Sequence, residues 1–175
     1  MLSLIKANDI CNRYGLDTIS AGSSLAFAFE CFEKGLIDEE TTGGLTLEWG
    51  NPDVILQMLK KLALREDFGD VIADGVMRAA QQVGQGSEEF AVHAGGQELP
   101  MHDPRCEPAL AVIYKLDATP GRHTQASVTF TPPGIESDRP RYGQNRDQQA
   151  GSGAYVKDLY ILNHTMTASG ICLFG

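Results

Sequence analysis

The sequence contains no long apolar run. None of its stretches approaches the roughly 18 consecutive apolar residues that a membrane-spanning helix needs. The N-terminus also lacks the basic start, the apolar stretch and the small-residue cleavage site of a signal peptide. We therefore expect a cytoplasmic protein with no membrane partner.

Positive charge is scarce relative to negative charge. The 175 residues include 14 Lys and Arg against 23 Asp and Glu, which gives a formal net charge of −9. An acidic surface repels the phosphate backbone of DNA or RNA. A nucleic-acid partner is therefore not expected.

Cysteine is sparse, and no two cysteines form a C-x-x-C pair. This spacing argues against zinc-ribbon and thioredoxin-like sites. In a cytoplasmic chain we expect reduced and mostly buried thiols. The four cysteines are Cys11, Cys31, Cys106 and Cys172.

Apolar periodicity and capping residues predict a mainly α fold, with helical hairpins and minor short β pieces. A polar segment rich in Pro and Gly, residues 131–153, is predicted to be a long loop. The first residues already follow a helical pattern and the last ones follow an apolar run, so we expect the chain to be part of a longer protein. Helices are predicted at 3–14, from about 18 to Gly35, from Asn51 onward, at about 70–83, at 107–117 and from about 154, with a short strand at 43–51 and extended pieces at 89–93 and 97–101.

The segment from Asn12 to Asp17 combines a helix end, a glycine and an acid at the start of the next helix. A carboxylate at such a turn can accept parallel N–H bonds from a planar, guanine-like edge, which is what a pterin offers. Gly15 would let a ligand approach the backbone closely. The structural alternative is that Asp17 only caps a helix.

This segment, Asn12-Arg13-Tyr14-Gly15-Leu16-Asp17, resembles the first pterin-binding segment of the aldehyde:ferredoxin oxidoreductase family, whose pattern is Asp-x-x-Gly-Leu-Asp. Asn12 stands where the family's first Asp would be, while Gly15, Leu16 and Asp17 fit. Further stretches resemble the family in its own order over nearly the whole chain. They include Leu47-Glu48-Trp49-Gly50-Asn51, Arg65-Glu66-Asp67-Phe68-Gly69-Asp70 and Leu99-Pro100-Met101-His102-Asp103-Pro104-Arg105.

His123 follows a Pro120-Gly121 turn. An imidazole held on a well-defined backbone suits general acid–base work near neutral pH. The resemblance implies that this histidine lies beside the metal and the aldehyde substrate, as a proton-transfer or substrate-orienting group. The alternative is a histidine on a surface loop, and His102 is interpreted as structural.

The segment Thr167-Ala168-Ser169-Gly170-Ile171-Cys172 resembles the family's second pterin segment, Asp-x-x-Gly-Leu-Cys. Thr167 replaces the Asp and Ile171 replaces the Leu, while Gly170 and Cys172 fit. The resemblance makes Cys172 one ligand of a [4Fe–4S] cluster, and the other three cysteines do not match the remaining ligands. The alternative for Cys172 is an ordinary buried thiol.

The resemblance implies an oxidoreductase that oxidises aldehydes to carboxylic acids at a tungsten or molybdenum bis-pterin centre. Electrons would leave through the cluster to ferredoxin or a similar acceptor. The oligomeric state is left open, with a homo-oligomer as one alternative. Residues 1–105 would belong to the family's second domain and residues 106–175 to the start of its third. The chain alone is expected to be inactive.

Two alternatives from other classes remain open at this point. The chain could be a helical interaction module that has lost the chemistry, which Asn12 and Thr167 favour. It could also be a thiol enzyme that uses Cys106 and His102.

Overall fold

The computed structural model describes residues 1–105, 108–125 and 152–171, and these residues form a mainly α-helical protein. This confirms the predicted fold class. Single 3₁₀ turns cover Ser87–Phe90 and His123–Gln125. The helices are α1 (Leu2–Tyr14), α2 (Thr18–Glu33), α3 (Pro52–Leu64), α4 (Phe68–Ala73), α5 (Val76–Val83), α6 (Pro108–Leu116) and α7 (Ser152–Ala168).

The chain divides into two compact units, Met1–Leu99 and Pro100–Gly175. Helices α1 to α5 belong to the first unit, and α6 and α7 belong to the second. The division into family domains at residue 105 rests on the sequence resemblance and stays a prediction.

Helix α2 lies at the centre of the first unit because it is apolar on most of its surface, as is typical of a buried helix. The sequence predicts an apolar stripe of Leu25, Phe29 and Phe32, of which Leu25 and Phe29 are buried and Phe32 is half-buried. Phe27, Ala28 and Cys31 on its other sides are buried as well. The helix therefore packs against neighbours on more than one side.

Helix α3 begins as its sequence predicts. The Asn51 side chain accepts hydrogen bonds from the backbone N–H groups of Asp53 (3.2 Å) and Val54 (3.4 Å), while Pro52 occupies the first turn. This confirms Asn51 as the cap. The sequence also predicts a buried apolar stripe of Ile55, Met58, Leu59 and Leu62. Met58, Leu59 and Leu62 are buried, and Ile55 packs half-buried against the core.

The predicted strand at 43–51 is wrong. Gly43, Gly44 and Gly50 all have positive φ angles, of 68°, 87° and 81°, which no strand accommodates. The segment instead forms turns that bury Leu47 and place the Trp49 ring 5.2 Å from that of Phe29. The alternation of apolar and polar residues therefore reflects loop packing, with no strand pairing.

The single helix predicted at about 70–83 is also wrong, because the chain breaks at Asp74 and Gly75. Gly75 has φ 89° and ψ 160°, an extended left-handed conformation outside any helix. The side chain of buried Glu98 accepts the N–H of Val76 at 2.8 Å and so caps the new helix α5. A distant carboxylate that satisfies this N–H makes the break stable, and local sequence gives no sign of it.

The extended pieces predicted at 89–93 and 97–101 are shorter in the structure. Strand β1 (His93–Ala94) pairs antiparallel with β2 (Gln97–Glu98), and His93 lies opposite Glu98. Gly95 and Gly96 form the connecting turn. No helix in the three described ranges is long and apolar enough to cross a bilayer.

Helices α3 and α4 approach each other most closely at Gly69. A Cβ atom on Gly69 would lie 2.2 Å from the carbonyl carbon and 2.3 Å from the carbonyl oxygen of Lys61. Both are backbone atoms, so neither can move aside as a flexible side chain would. Gly69 therefore sets the distance between these two helices.

We predict that Gly69→Ala lowers the free energy of unfolding by about 1–3 kcal/mol, because the added methyl overpacks the contact with α3. Gly22→Ala is the matched control, since Gly22 also lies within a helix but a Cβ there meets no atom within 4 Å. The control should gain about 0.5–1 kcal/mol from helix propensity. Urea unfolding of both variants measures the difference, and equal stability of the two would contradict the close approach.

Candidate cofactor and catalytic site

Helix α1 ends at Gly15 in a left-handed conformation, with φ 68° and ψ 32°. The N–H of Leu16 donates to the carbonyl oxygen of Cys11 at 2.9 Å, which closes the helix end as a Schellman motif. The Leu16 side chain packs against the core of the first unit. The packing of Leu16 against the core holds the turn in place, while Asn12 and Gly15 are exposed.

Asp17 caps helix α2. Its Oδ1 accepts the backbone N–H of Ser20 at 2.8 Å, so the structural alternative from the sequence describes a real contact. The side chain is exposed, and among the described residues Oδ2 has no hydrogen-bond partner. One carboxylate oxygen therefore holds the helix, and the other is open to a ligand.

Helix α7 ends with the same geometry as α1. Gly170 has φ 75°, and the N–H of Ile171 donates to the carbonyl oxygen of Met166 at 3.0 Å. Ile171 is 56% exposed. Position 172 lies outside the described residues, so the predicted cluster ligand Cys172 is not placed.

His123 begins the 3₁₀ turn His123–Gln125, two residues after Gly121, whose φ is 77°. Its half-buried ring stacks on the ring of His102, with centroids 4.3 Å apart and planes 12° from parallel. Burial lowers the pKa of His123, and the charges of His102 and Arg122 lower it further. At neutral pH this imidazole is therefore uncharged and can accept a proton.

Asp117 organises the loop that leads to His123. Its fully buried side chain accepts the N–H (2.6 Å) and the hydroxyl (2.7 Å) of Thr119, and its other oxygen lies 3.2 Å from His164 Nε2 on α7. Burial alone would raise the pKa of Asp117, but hydrogen bonds from Thr119, Tyr160 and His164 outweigh it and the pKa is lowered. The carboxylate therefore joins this loop to α7.

Asn163 forms a second link between α7 and the His123 turn. Its side-chain Nδ2 donates to the backbone carbonyl of Thr124 at 3.3 Å. Asn163 is 2% exposed, and its Oδ1 is buried without a partner among the described residues. The helix that ends at Gly170 therefore also holds the turn that carries His123.

The cysteines of the first unit are buried thiols, as predicted. Burial and the nearby charge of Asp17 raise the pKa of Cys11, and burial raises the pKa of Cys31 to about 11. Metal ligation requires the thiolate, which both environments disfavour. In the part of the chain that the structure describes, no three His, Cys, Asp or Glu side chains cluster as a metal site.

The structure places the predicted residues in two groups. Asn12, Gly15, Leu16 and Asp17 form one corner in the first unit, and His123, Gly170 and Ile171 belong to the second unit. Cys106, from the thiol-enzyme alternative, lies outside the described residues.

Sequence reasoning missed the partners of the His123 loop, namely Asp117, Asn163, His164 and the ring of His102. Asp117 and His164 are 47 positions apart, with the segment 126–151 between them. A pair separated in this way leaves no local spacing signal.

Comparison with known proteins identifies the family of the chain. The family model for aldehyde ferredoxin oxidoreductase, domains 2 and 3, matches residues 1–175. The chain belongs to the aldehyde ferredoxin oxidoreductase family. It is 34% identical to the tungsten-containing aldehyde ferredoxin oxidoreductases of Thermococcus kodakarensis and Pyrococcus furiosus, over 99% of this chain and 28% of each relative.

One solved structure is also similar to part of the chain. The active-site complex BamBC of benzoyl coenzyme A reductase, determined with 1,5-dienoyl-CoA, is 32% identical and superposes with a TM-score of 0.53. The match covers 66% of this chain and 18% of that one. The tungsten-containing relatives are longer than this chain, which spans a little over a quarter of their length.

We predict that Asp117→Asn destabilises the second unit by about 1–3 kcal/mol at neutral pH, because it weakens a buried, fully bonded carboxylate. The pKa of Asp117 is lowered in the folded state, so its stabilising effect is present above the unfolded pKa and is lost as the pH falls through the folded one. The stability gap between variant and unsubstituted chain should therefore shrink in acid.

Hydrogen exchange of the α6 and α7 amides at several pH values measures this gap. Asp158→Asn is the matched control, because Asp158 is an exposed carboxylate on α7. A gap for Asp117→Asn that stays constant with pH, or that equals the control, would contradict the buried role of the carboxylate.

Proposed function

We propose that this chain is part of an oxidoreductase that oxidises aldehydes to carboxylic acids at a tungsten or molybdenum centre held by pterins. Electrons would leave through a [4Fe–4S] cluster to ferredoxin. Family membership and the names of the tungsten-containing relatives support the proposal. The observation that carries it is that both segments resembling pterin motifs form the same glycine-terminated helix end.

The residues at these turns fit a pterin. Among the residues that the structure describes, no atom lies within 4 Å of a Cβ atom built at Gly15 or at Gly170, which leaves space for a ligand beside each turn. The free Oδ2 of Asp17 is an acceptor for the N–H edge of an aminopyrimidinone ring. Gly15, Leu16 and Asp17 would hold one pterin, and Gly170 and Ile171 would contribute to the second.

Asn12 and Thr167 stand where the family pattern has Asp. Both lie in the last turns of their helices and both are exposed, so neither is required by the core. Each retains a side-chain oxygen that can accept a hydrogen bond, but neither carries a negative charge. Cofactor binding at these two positions would therefore rest on neutral contacts.

When bound, the metal–pterin centre would supply the oxygen and two-electron chemistry. Conversion of an aldehyde and water to a carboxylic acid releases two protons along with two electrons. In this proposal uncharged His123 would accept one proton or orient the aldehyde by a hydrogen bond. This role uses the neutral ring, which burial favours.

The cluster is supported only by the resemblance at Cys172. A [4Fe–4S] cluster requires Cys₄ or similar ligation, and buried Cys11 and Cys31 do not suit it. The remaining ligands would have to come from elsewhere in the complete enzyme.

An interaction module that has lost the chemistry is the second candidate, and Asn12 and Thr167 are the observations that favour it. The open carboxylate oxygen of Asp17 and the uncharged state of His123 oppose it, because a binding module needs neither. Oxidation of an aldehyde by the purified complete protein would separate the two candidates.

We predict that His123→Ala in the complete enzyme lowers the rate of aldehyde oxidation by about 10²–10⁴-fold, the usual contribution of a general acid–base group. Metal and pterin content should remain unchanged, because no described contact joins His123 to either turn. Steady-state kinetics and metal analysis on the same preparation measure both quantities.

His93→Ala is the matched control, because His93 lies in the short hairpin of the first unit, away from both turns in sequence. The control should keep the full rate. An unchanged rate in His123→Ala would leave His123 as a structural histidine and remove the catalytic part of the proposal.

A further inference from the structure

We propose that His102 is a positioning residue for His123: the stacked His102 ring sets the plane of the His123 imidazole and the surroundings in which that imidazole takes up a proton. This inference rests on the proton-transfer role of His123 under the proposed function. It assigns a task to a histidine that the sequence alone presents as structural.

The stacking geometry restricts the His123 ring. The two imidazoles lie face to face, with centroids 4.3 Å apart and an angle of 12° between planes. Both side chains are half-buried, so one face of each ring is covered by the other. A flat partner at this distance limits rotation of the His123 ring about its side-chain bonds.

His102 is itself held firmly. Its carbonyl oxygen accepts the hydroxyl of buried Tyr114 on α6 at 2.9 Å, and its N–H donates to the carbonyl of Pro100 at 2.7 Å. These contacts fix its backbone to the helix that precedes the His123 loop. The backbone that carries the His102 ring is therefore tied to α6.

His123 is fixed from another helix. Asn163 on α7 donates to the carbonyl of Thr124, the residue that follows His123 in its 3₁₀ turn. The stack thus joins two backbone segments, one bonded to α6 and one bonded to α7. Such a contact sets the relative position of the rings, as a positioning role requires.

The charges around the stack favour an uncharged His123. The titratable groups that act on it are His102, on the facing segment, and Arg122, its chain neighbour, and both are cationic when protonated. A second positive charge on stacked rings is repelled at short range. Burial is the larger cause of the lowered pKa of His123, and together with these charges it leaves an imidazole available as a proton acceptor.

The test is an NMR titration of the complete chain labelled with ¹⁵N-histidine. We compare the unsubstituted chain with His102→Ala, which removes ring and charge, and with His102→Phe, which keeps a flat ring but removes the charge. We expect His123 to titrate at higher pH in both variants. His93→Phe, in the first unit, is the control and should leave the His123 curve unchanged.

An upward shift in either folded variant supports the proposal. Titration of His123 at the same pH in both variants as in the unsubstituted chain overturns it. The phenylalanine variant keeps the test decisive if the alanine variant fails to fold. The titration result does not depend on catalysis. His102 can affect the titration of His123 even if His123 has no catalytic role, and His123 can be catalytic even if His102 has no effect on its titration.

Discussion

A glycine in the left-handed conformation at the end of a helix turns the chain sharply. The backbone N–H of the next residue then donates a hydrogen bond to a carbonyl oxygen in the last turn of that helix. Both candidate cofactor segments share this arrangement. The N–H of Leu16 donates to the carbonyl oxygen of Cys11, and the N–H of Ile171 donates to that of Met166. The residue that follows this hydrogen bond is therefore held in a fixed position next to the turn. In the first unit that residue is Asp17, whose carboxylate caps α2 with one oxygen and leaves the other exposed.

In the second unit the same helix serves two tasks. Helix α7 ends at the second turn, and on its way it holds the loop that carries His123 through Asn163 and through the contact of His164 with Asp117. The proposed proton acceptor and the proposed pterin segment therefore share one rigid support. A buried, fully bonded carboxylate such as Asp117 makes that support costly to distort.

Much of the fold could be predicted from sequence, because capping residues and apolar stripes act locally. Gly15 and Asn51 set helix ends as predicted, and the stripe with Met58 and Leu59 is buried. The predictions failed where a distant contact decides. Glu98 caps α5 from 22 residues away and so allows the break at Gly75, and the partners of the His123 loop come from across a long segment. Local patterns carry no trace of such pairs.

Asp17 is proposed to bind a pterin as well as to cap a helix. Asp17→Asn keeps the cap, since Asn caps as well as Asp, but turns the free oxygen into a donor. That should cost on the order of 1–3 kcal/mol, roughly 5- to 150-fold in cofactor affinity. Asp38→Asn is the matched control, because Asp38 also accepts the N–H three residues on, from Thr41 at 2.8 Å. The measurement is tungsten or molybdenum and pterin per chain in the complete enzyme, alongside thermal unfolding. We expect a folded protein depleted in cofactor for Asp17→Asn and full cofactor content for Asp38→Asn. Full cofactor content in Asp17→Asn would contradict a pterin contact at Asp17.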